Sequence, residues 1–482
     1  MEKLHRGDCR ELLKTLPENS VDAVVTDPPY ALTQVSRGGS LRPPGTGPYG
    51  RHMVGTKGFM GLSWDNGELT FDPSFWAEVL RVLKPGGHLL AAGIGRTHHR
   101  MMVAVEEAGF EIRDCVYHIF GSGFPKNLDV SKAIDRLKGA ERLVVGKYTP
   151  PGCKEWNLQQ AEDPSVPGSG GMFTASGRRT LAVTAPATED AIRWRGFGTS
   201  LKPAAEIWVL ARKPLAEKNV AENVLKWGTG AVNIDACRVT SPCKPASCIG
   251  TGWASQDRRN AETGYRPRAY YEEQDGFNYE PHPSGRWPAN LVLTHSEECG
   301  DVCAPDCPVQ TLDKQSGILE SGLMKAGTLR RNLCGYQGAM PALTLHDTYG
   351  DSGGASRFFY CAKVSPDERW GFCKDCSRAV SPEELDAHRA EKHKVTVHPT
   401  QKPLDLMRWL VRLVTPPGGT VLDPFAGSGT TLVAAVLEGF GCIGAEADPE
   451  YAEIAEARLL AAREGKAPPV LLKGGLEQLT LF

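Results

Sequence analysis

Asp27-Pro28-Pro29-Tyr30 and Phe425-Ala426-Gly427-Ser428-Gly429-Thr430 are the two stretches of this 482-residue chain whose residue types and spacing suit chemistry. The exocyclic amine of a nucleic-acid base is a poor nucleophile, because its lone pair is delocalised into the ring. The Asp27 carboxylate and the Pro28 carbonyl can accept its two N–H bonds, which localises the lone pair for in-line attack on a methyl sulfonium. Pro28 and Pro29 lock the backbone so that both acceptors converge. Tyr30 offers a ring on which a base rotated out of its helix can stack. The competing reading is a strand-ending turn, capped by the aspartate and stiffened by the prolines.

In the second stretch Gly427 and Gly429 let the backbone come close to a ligand at the N-terminus of a helix that starts near Thr430. Glu446 ends the next apolar run, where an acidic residue can accept hydrogen bonds from ribose hydroxyls. Taken alone, this turn fits NAD, FAD or S-adenosylmethionine. The amine-binding tetrapeptide favours the last, which carries a methyl sulfonium.

These residues need elements to hold them. Val21 to Thr26 is a β-branched apolar run ending at Asp27, which reads as a buried parallel strand. Residues 74–83 have helical spacing, Lys84 to Gly87 stop that helix, and His88 to Ile94 return as a strand. Residues 31–62, rich in Gly, Pro and Arg, read as a loop, and 145–200 as irregular. The rhythm is lost from about 231 to 395, a stretch holding most of the 14 cysteines, and resumes with strands at 420–423 and 442–446. The expected fold is α/β, with an inserted cysteine-rich region. Residues 1–230 form the catalytic half, 231–395 the insert, 396–465 the cofactor-binding half and 466–482 a tail.

The chain resembles the beta-class amino-group DNA methyltransferases, in which the amine-binding motif precedes the cofactor motif; the resemblance implies an α/β, Rossmann-like sheet with a permuted motif order, the cysteine-rich, zinc-stabilised insert being its target-recognition region. Phe120 to Lys126 and Lys202 to Glu206 resemble segments common in phage and prophage DNA methylases. Arg6-Gly7-Asp8-Cys9 resembles the element whose aspartate contacts the cofactor adenine. His398-Pro399-Thr400-Gln401-Lys402-Pro403 resembles the stretch that packs on the methionine end of the cofactor. Val421 to Phe425, with Asp423, and Ile443 to Glu446 match the two cofactor strands. The resemblance implies S-adenosylmethionine-dependent methylation of adenine N6 in double-stranded DNA, with cytosine N4 as the alternative. It implies cofactor contacts by Asp8, Asp423, Phe425, Gly427, Gly429, Thr430, Glu446, His398, Thr400 and Lys402. It covers roughly 1–235 and 396–463. No endonuclease motif accompanies it, though methylases of this kind also serve restriction-modification systems.

Cys373-x2-Cys376-x11-His388-x4-His393 has the spacing of a two-Cys-two-His zinc site, with both histidines expected on a helix that Ser381-Pro382-Glu383-Glu384 starts. His295, Cys299, Cys303 and Cys307 step by four and suggest a second zinc knuckle, with buried thiols as the alternative. Arg258, Arg259, Arg266 and Arg268 interleave with Tyr265, Tyr270 and Tyr271, which suits phosphate neutralisation and stacking on DNA. Arg37 lies in the loop after Tyr30, placed to clamp DNA over the base. Gln478-Leu479-Thr480-Leu481-Phe482 resembles the peptide by which bacterial replication proteins dock on the sliding clamp; packing on its own domain is the alternative.

Composition sets the limits. With 41% hydrophobic and 23% charged residues the chain is ordinary for a soluble globular protein, and no apolar run reaches the ~18–20 residues of a membrane span. No signal peptide follows Met1, so cytoplasmic localisation, in a bacterial or phage-infected cell, is the expectation. The cysteines fit a reducing compartment. A net charge of −2 leaves room for a local basic cleft. A homodimer stays open.

Overall fold

Apolar runs in the first 120 residues and after residue 400 converge on a single sheet. The computed structural model describes residues 2–30, 69–121, 127–148, 181–239, 285–300, 302–305, 307–320, 329–330, 342–343, 352–365 and 368–465. Arg37, Arg258, Arg259, Arg266, Arg268 and the Gln478–Phe482 peptide lie outside them. The chain divides into two compact units, Gly123–Pro203 and the remainder.

Among the described residues, the main sheet of the larger unit has nine strands. They are β1 (Glu2–Arg6), β2 (Val21–Thr26), β3 (Leu83–Ile94), β4 (Glu111–Ile119), β5 (Ala205–Arg212), β6 (Leu291–Thr294), β7 (Tyr360–Ala362), β8 (Thr420–Asp423) and β9 (Gly441–Glu446). Their order is β1-β9-β8-β2-β3-β5-β4-β6-β7. All run parallel except β5, which is antiparallel to β3 and β4. All six residues of β2 are buried, as a central parallel strand covered on both faces requires. Its one charge, Asp22, is paired with Lys84 at 2.6 Å and accepts from the Thr420 amide at 2.8 Å.

Helices cover both faces. On one face α1 (Cys9–Thr15), α2 (Pro73–Val82) and α3 (His98–Glu107) bury Leu12, Leu13, Trp76 and Val105 against Val24, Leu89 and Val209. On the other, α4 (Leu404–Val414), α5 (Thr430–Leu437) and α6 (Pro449–Arg463) bury Leu410, Val433 and Leu459 against Val25, Leu90 and Val421. Each buried aliphatic side chain contributes about 1.5–3 kcal/mol. Asp8, Asp72 and Asp448 cap α1, α2 and α6 with their carboxylates.

The structure departs from the sequence reading in three places. Strand β3 begins at Leu83, with the Lys84–Gly87 stretch absorbed as an irregularity against β2. Strands β6 and β7 lie within the 231–395 stretch read as an insert, yet they extend the main sheet. At four and three residues they are too short to show a period, and their partners are distant in sequence. Residues 123–203, partly read as irregular, contain a hairpin of Val144–Tyr148 with Leu181–Thr184 between helices Val130–Leu137 and Glu189–Arg193. Its hub is the buried Asp135, which accepts from Arg142 at 2.5 Å, Thr188 Oγ1 at 2.7 Å and the amides of Ala187 and Thr188. Among the described residues no helix is long and apolar enough to cross a membrane.

Candidate active site

Strand β2 delivers Asp27 to the C-terminal edge of the sheet, and two threonines hold the turn that follows. Thr70 Oγ1 donates to the Pro29 carbonyl at 2.8 Å and Thr97 Oγ1 to the Tyr30 carbonyl at 3.1 Å. Pro28 is buried and Pro29 half-buried. The Tyr30 hydroxyl donates to Asp27 Oδ1 at 2.6 Å. Lys402 Nζ donates to that hydroxyl at 2.9 Å and to Glu206 Oε1 at 2.7 Å, and lies 3.1 Å from Asp27 Oδ2. Glu206, on β5, continues inward: its Oε2 lies 3.2 Å from His118 Nδ1 on β4, whose Nε2 lies 2.5 Å from Thr294 Oγ1 at the end of β6. A polar line thus crosses four strand ends, from Asp27 to Thr294.

Two carboxylates and one ammonium meet in this cluster, so the acidic groups outnumber the cation. Burial pushes the Asp27 carboxyl up, against the pull of Lys402. Burial would raise Glu206 too, but Lys402 and His118 override it and hold that carboxyl at about 2. The Tyr30 phenol is pushed well above its ordinary value by burial and by both carboxylates. Burial works against the charge on Lys402, yet Asp27 and Glu206 hold it above the ordinary lysine value.

Beside β2 lies β8, and here the strand order reverses. The connection after β8 runs outward to β9 and the one after β2 runs the other way to β3. In open α/β sheets the crevice at such a switch point is where ligands bind. Thr26 Oγ1 donates to Asp423 Oδ1 at 2.7 Å, tying the two strand ends. Asp423 also accepts from the Phe425 amide at 3.1 Å, and burial raises its carboxyl to about 6. Phe425 lies against Phe75 with ring centroids 5.3 Å apart.

The glycine turn that follows is shaped by two left-handed residues, Gly427 (φ 53°) and Gly429 (φ 79°). A Cβ on Gly427 would stand 2.9 Å from His398 Nε2, and one on Gly429 would stand 2.9 Å from Ala455 Cβ. Glu446 Oε2 accepts from the Gly427 amide at 2.7 Å and Oε1 from the Asp448 amide at 2.8 Å. Burial raises Glu446 to about 7. The Gly7 amide donates to the Glu446 carbonyl at 2.8 Å, which brings Asp8 to the same edge. Asp8 is gripped by Arg10, whose Nε lies 3.0 Å from both of its oxygens. Buried Arg458 donates to Thr430 Oγ1 at 2.9 Å and to the Ser428 carbonyl at 2.7 Å, closing the turn from behind.

The His398–Pro403 stretch spans both groups. The His398 ring packs edge-on against Tyr451, centroids 4.5 Å apart, and burial lowers its pKa to about 4. Thr400 is half-buried. Lys402 stands in the Asp27 cluster. Glu206 lies in the Lys202–Glu206 segment, which the sequence offers without a role for this side chain; His118 and Thr294 are site residues that pattern reading does not single out, their only signal being a polar residue near the end of a strand.

Cys373, Cys376, His388 and His393 bring four donor atoms together, as do His295, Cys299, Cys303 and Cys307. Each set lies within 4.8 Å. In the first, both Cys373 Sγ and Cys376 Sγ lie 3.6 Å from His393 Nδ1, Cys376 Sγ lies 3.9 Å from His388 Nδ1, and the two histidine nitrogens are 3.1 Å apart. In the second, Cys303 and Cys307 Sγ lie 3.4 and 3.5 Å from His295 Nδ1. Only His388 sits on the helix Pro382–Ala390; His393 follows it, after Lys392 turns the chain with φ 62°.

The Type II methyltransferase M2.DpnII of Streptococcus pneumoniae is 48% identical over 67 residues, which are 14% of this chain and 25% of that protein. The aligned part is thus about a quarter of that relative's length. Among solved structures, the cytosine-N4-specific PvuII DNA methyltransferase aligns over 94% of this chain and 85% of its own, with TM-score 0.39 and 14% identity. The M1.HpyAVI–SAM complex aligns over 95% and 100%, with TM-score 0.34 and 14% identity. Residues 254–457, which carry His398 to Lys402, the glycine turn and Glu446, match the DNA methylase family N6_N4_Mtase.

Proposed function

We propose that this chain is an S-adenosylmethionine-dependent DNA methyltransferase acting on a base amino group, adenine N6 in the first place. The observation that carries it is the adjacency of β2 and β8, which sets Asp27 beside the glycine turn at the switch point of the sheet. The match of residues 254–457 to a DNA methylase family supports the same reading.

The donor set fits this cofactor better than a dinucleotide. Asp8, Asp423, Glu446 and Asp27 put four carboxylates along one edge, which suits a sulfonium cation and ribose hydroxyls. A pyrophosphate would be repelled there. The Gly427 amide it would need already donates to Glu446. When bound, S-adenosylmethionine supplies an electrophilic methyl group. The chain's own residues do the rest. Asp27 and the Pro28 carbonyl accept the two amine N–H bonds and localise the lone pair. In the present arrangement Tyr30 donates to one Asp27 oxygen and Lys402 lies against the other, and each oxygen keeps a second lone pair for the amine. Glu206 holds Lys402 beside Asp27. With the methyl donor bound, Asp27 and the Pro28 carbonyl would hold the nitrogen for methylation, and Asp27 would accept the proton the nitrogen sheds.

Zinc is part of the reading. A tetrahedral ion with bonds of about 2.3 Å to sulfur and 2.0–2.1 Å to nitrogen sets its donors about 3.3–3.8 Å apart. Sulfur–nitrogen separations of 3.4–3.6 Å in both clusters suit that shape, with Cys376 Sγ to His388 Nδ1 slightly longer at 3.9 Å. The ions would be structural, since neither cluster contains a residue of the Asp27 group. We further propose double-stranded DNA as substrate, with Arg37, Arg258, Arg259, Arg266 and Arg268 as contacts, and clamp docking by Gln478–Phe482. A clamp pull-down with a chain lacking 478–482 tests the last point; equal retention removes it.

The test of the main reading is transfer of labelled methyl from S-adenosylmethionine to mixed-sequence duplex DNA, with Asp27→Asn as control. Label that disappears in the variant, while cofactor binding persists, supports it. Label retained at the wild-type rate in the variant removes Asp27 from the chemistry.

A further inference from the structure

The Cys373 cluster is joined to the cofactor turn and to the Asp27 cluster by one short strap. Val395–Val397 pairs antiparallel with Gly371–Cys373, with Cys373 opposite Val395 and Gly371 opposite Val397. The ladder is tight: a Cβ on Gly371 would stand 2.7 Å from Val395 Cγ1. His393 precedes this strand and His398 follows it directly. Two further bonds fasten the start of the strap. Lys374 N donates to the Lys394 carbonyl at 2.9 Å and Lys394 N to Asp375 Oδ2 at 2.6 Å.

Beyond the strand, the His398 ring covers Gly427 and packs on Tyr451 of α6. The Gln401 side chain donates to the Glu368 carbonyl at 2.7 Å, and Lys402 enters the Asp27 cluster. The hairpin is also pinned to the first turn of α6, where Lys374 pairs with Glu450 at 2.7 Å.

Arg378–Val380 pairs with the other edge of Gly371–Cys373, and both of these strands pack on α6. The apolar core of this hairpin is Cys373, Val380 and Leu385, with Val395 and Val397 packed alongside. A core of that size does not hold a fold without a staple. One of its two sulfur donors, Cys376, is exposed.

We propose that Zn²⁺ bound by Cys373, Cys376, His388 and His393 sets the register of the Val395–Lys402 strap, so that occupancy of this site controls cofactor affinity and the placement of Lys402. The inference rests on the methyltransferase reading. Loss of the ion frees His393, lets the ladder slip, and withdraws His398 from the glycine turn and Lys402 from Asp27. The ion takes no part in methyl transfer.

The test uses the full chain, with zinc measured by elemental analysis and S-adenosylhomocysteine binding by calorimetry. Wild type is expected to hold two zinc ions. Cys376→Ser should lose one of them and bind S-adenosylhomocysteine at least tenfold more weakly. His393→Cys, which keeps a tetrahedral ligand set, should retain both the ion and the affinity. Should Cys376→Ser fail to fold, stepwise removal of zinc from the wild type by 1,10-phenanthroline, followed by zinc readdition, gives the same comparison. Unchanged affinity after loss of the ion overturns the coupling. A wild type that neither contains nor takes up zinc overturns the site. A wild type that holds zinc but binds no S-adenosylhomocysteine overturns the methyltransferase reading and the coupling with it, while the metal content identifies which of the two failed.

Discussion

Lys402 Nζ stands 3.1 Å from Asp27 Oδ2, closing the C-terminal half of the chain onto the amine-binding turn. This contact makes Lys402 both the counter-ion of the candidate catalytic carboxylate and the end of the strap that covers the glycine turn.

Removing the ammonium should be costly. In Lys402→Met, Asp27 and Glu206 would face each other with no cation between them; breaking a buried pair in this way costs about 3–5 kcal/mol. The site would relieve the repulsion by taking up a proton. We therefore expect methyl transfer to fall at least 100-fold and the acid limb of its pH profile to move upward by a unit or more. A wild-type rate and profile in the variant would remove Lys402 from the site.

Cofactor affinity should depend on pH through Glu446. Burial raises this carboxyl to about 7; on the proposed reading its ionised form would accept from both ribose hydroxyls. Affinity for S-adenosylhomocysteine should rise as pH goes from 6 to 8, by up to about tenfold per unit below the pKa. Calorimetry at pH 6, 7 and 8 measures it. Glu446→Gln should bind weakly and with no slope; a slope that survives in the variant assigns the dependence elsewhere.

Stability should follow a different course. Glu368 and Glu446 are raised to about 7 and Asp423 to about 6. A carboxyl raised by folding adds stability that is complete below its unfolded pKa and lost as pH rises through the folded one. Glu206, lowered to about 2, acts in the opposite sense: its contribution is present above pH 4.5 and lost as pH falls toward 2. The cofactor-free protein should melt highest near pH 5 and several degrees lower at pH 7.5. A melting temperature that increases steadily from pH 5 to 7.5 contradicts these assignments.

Two glycines separate backbone strain from crowding. Gly429 and Gly439 share φ 79°, but a Cβ on Gly429 meets Ala455 Cβ at 2.9 Å and Cα at 3.0 Å, whereas nothing lies within 4 Å of one on Gly439. Gly439→Ala should cost about 1–2 kcal/mol of stability and leave cofactor affinity alone. Gly429→Ala should cost more and weaken cofactor binding at least tenfold, because α6 must move away from the turn. Thermal melts and calorimetry on both variants check this; equal effects would mean that the close approach of α6 has no role.

Parts of this architecture were legible in the sequence because they are local. Val21–Thr26 holds four β-branched residues in six, the composition a buried parallel strand favours. Ser381 and Glu384 spell a capping box, and they form one. The Cys/His spacings are local as well, and the four donors of each set do converge. Strands β6 and β7 were not legible, being too short for a period. Nor was the Glu206–His118–Thr294 line. It depends on β5 running antiparallel between β3 and β4, and no local pattern encodes which strands become neighbours. Lys402 was read as a cofactor residue from the resemblance of its motif; its pairing with Asp27 arises only when the two ends of the chain fold together.

The most direct test of the account is to identify the methylated product. Duplex DNA methylated with labelled S-adenosylmethionine would be digested to nucleosides and separated by chromatography. The account predicts label in N6-methyladenine. Label in N4-methylcytosine would retain the Asp27 mechanism and overturn the choice of base. Label in 5-methylcytosine, or no label in DNA from a protein that binds the cofactor, would contradict transfer to a base amino group of DNA.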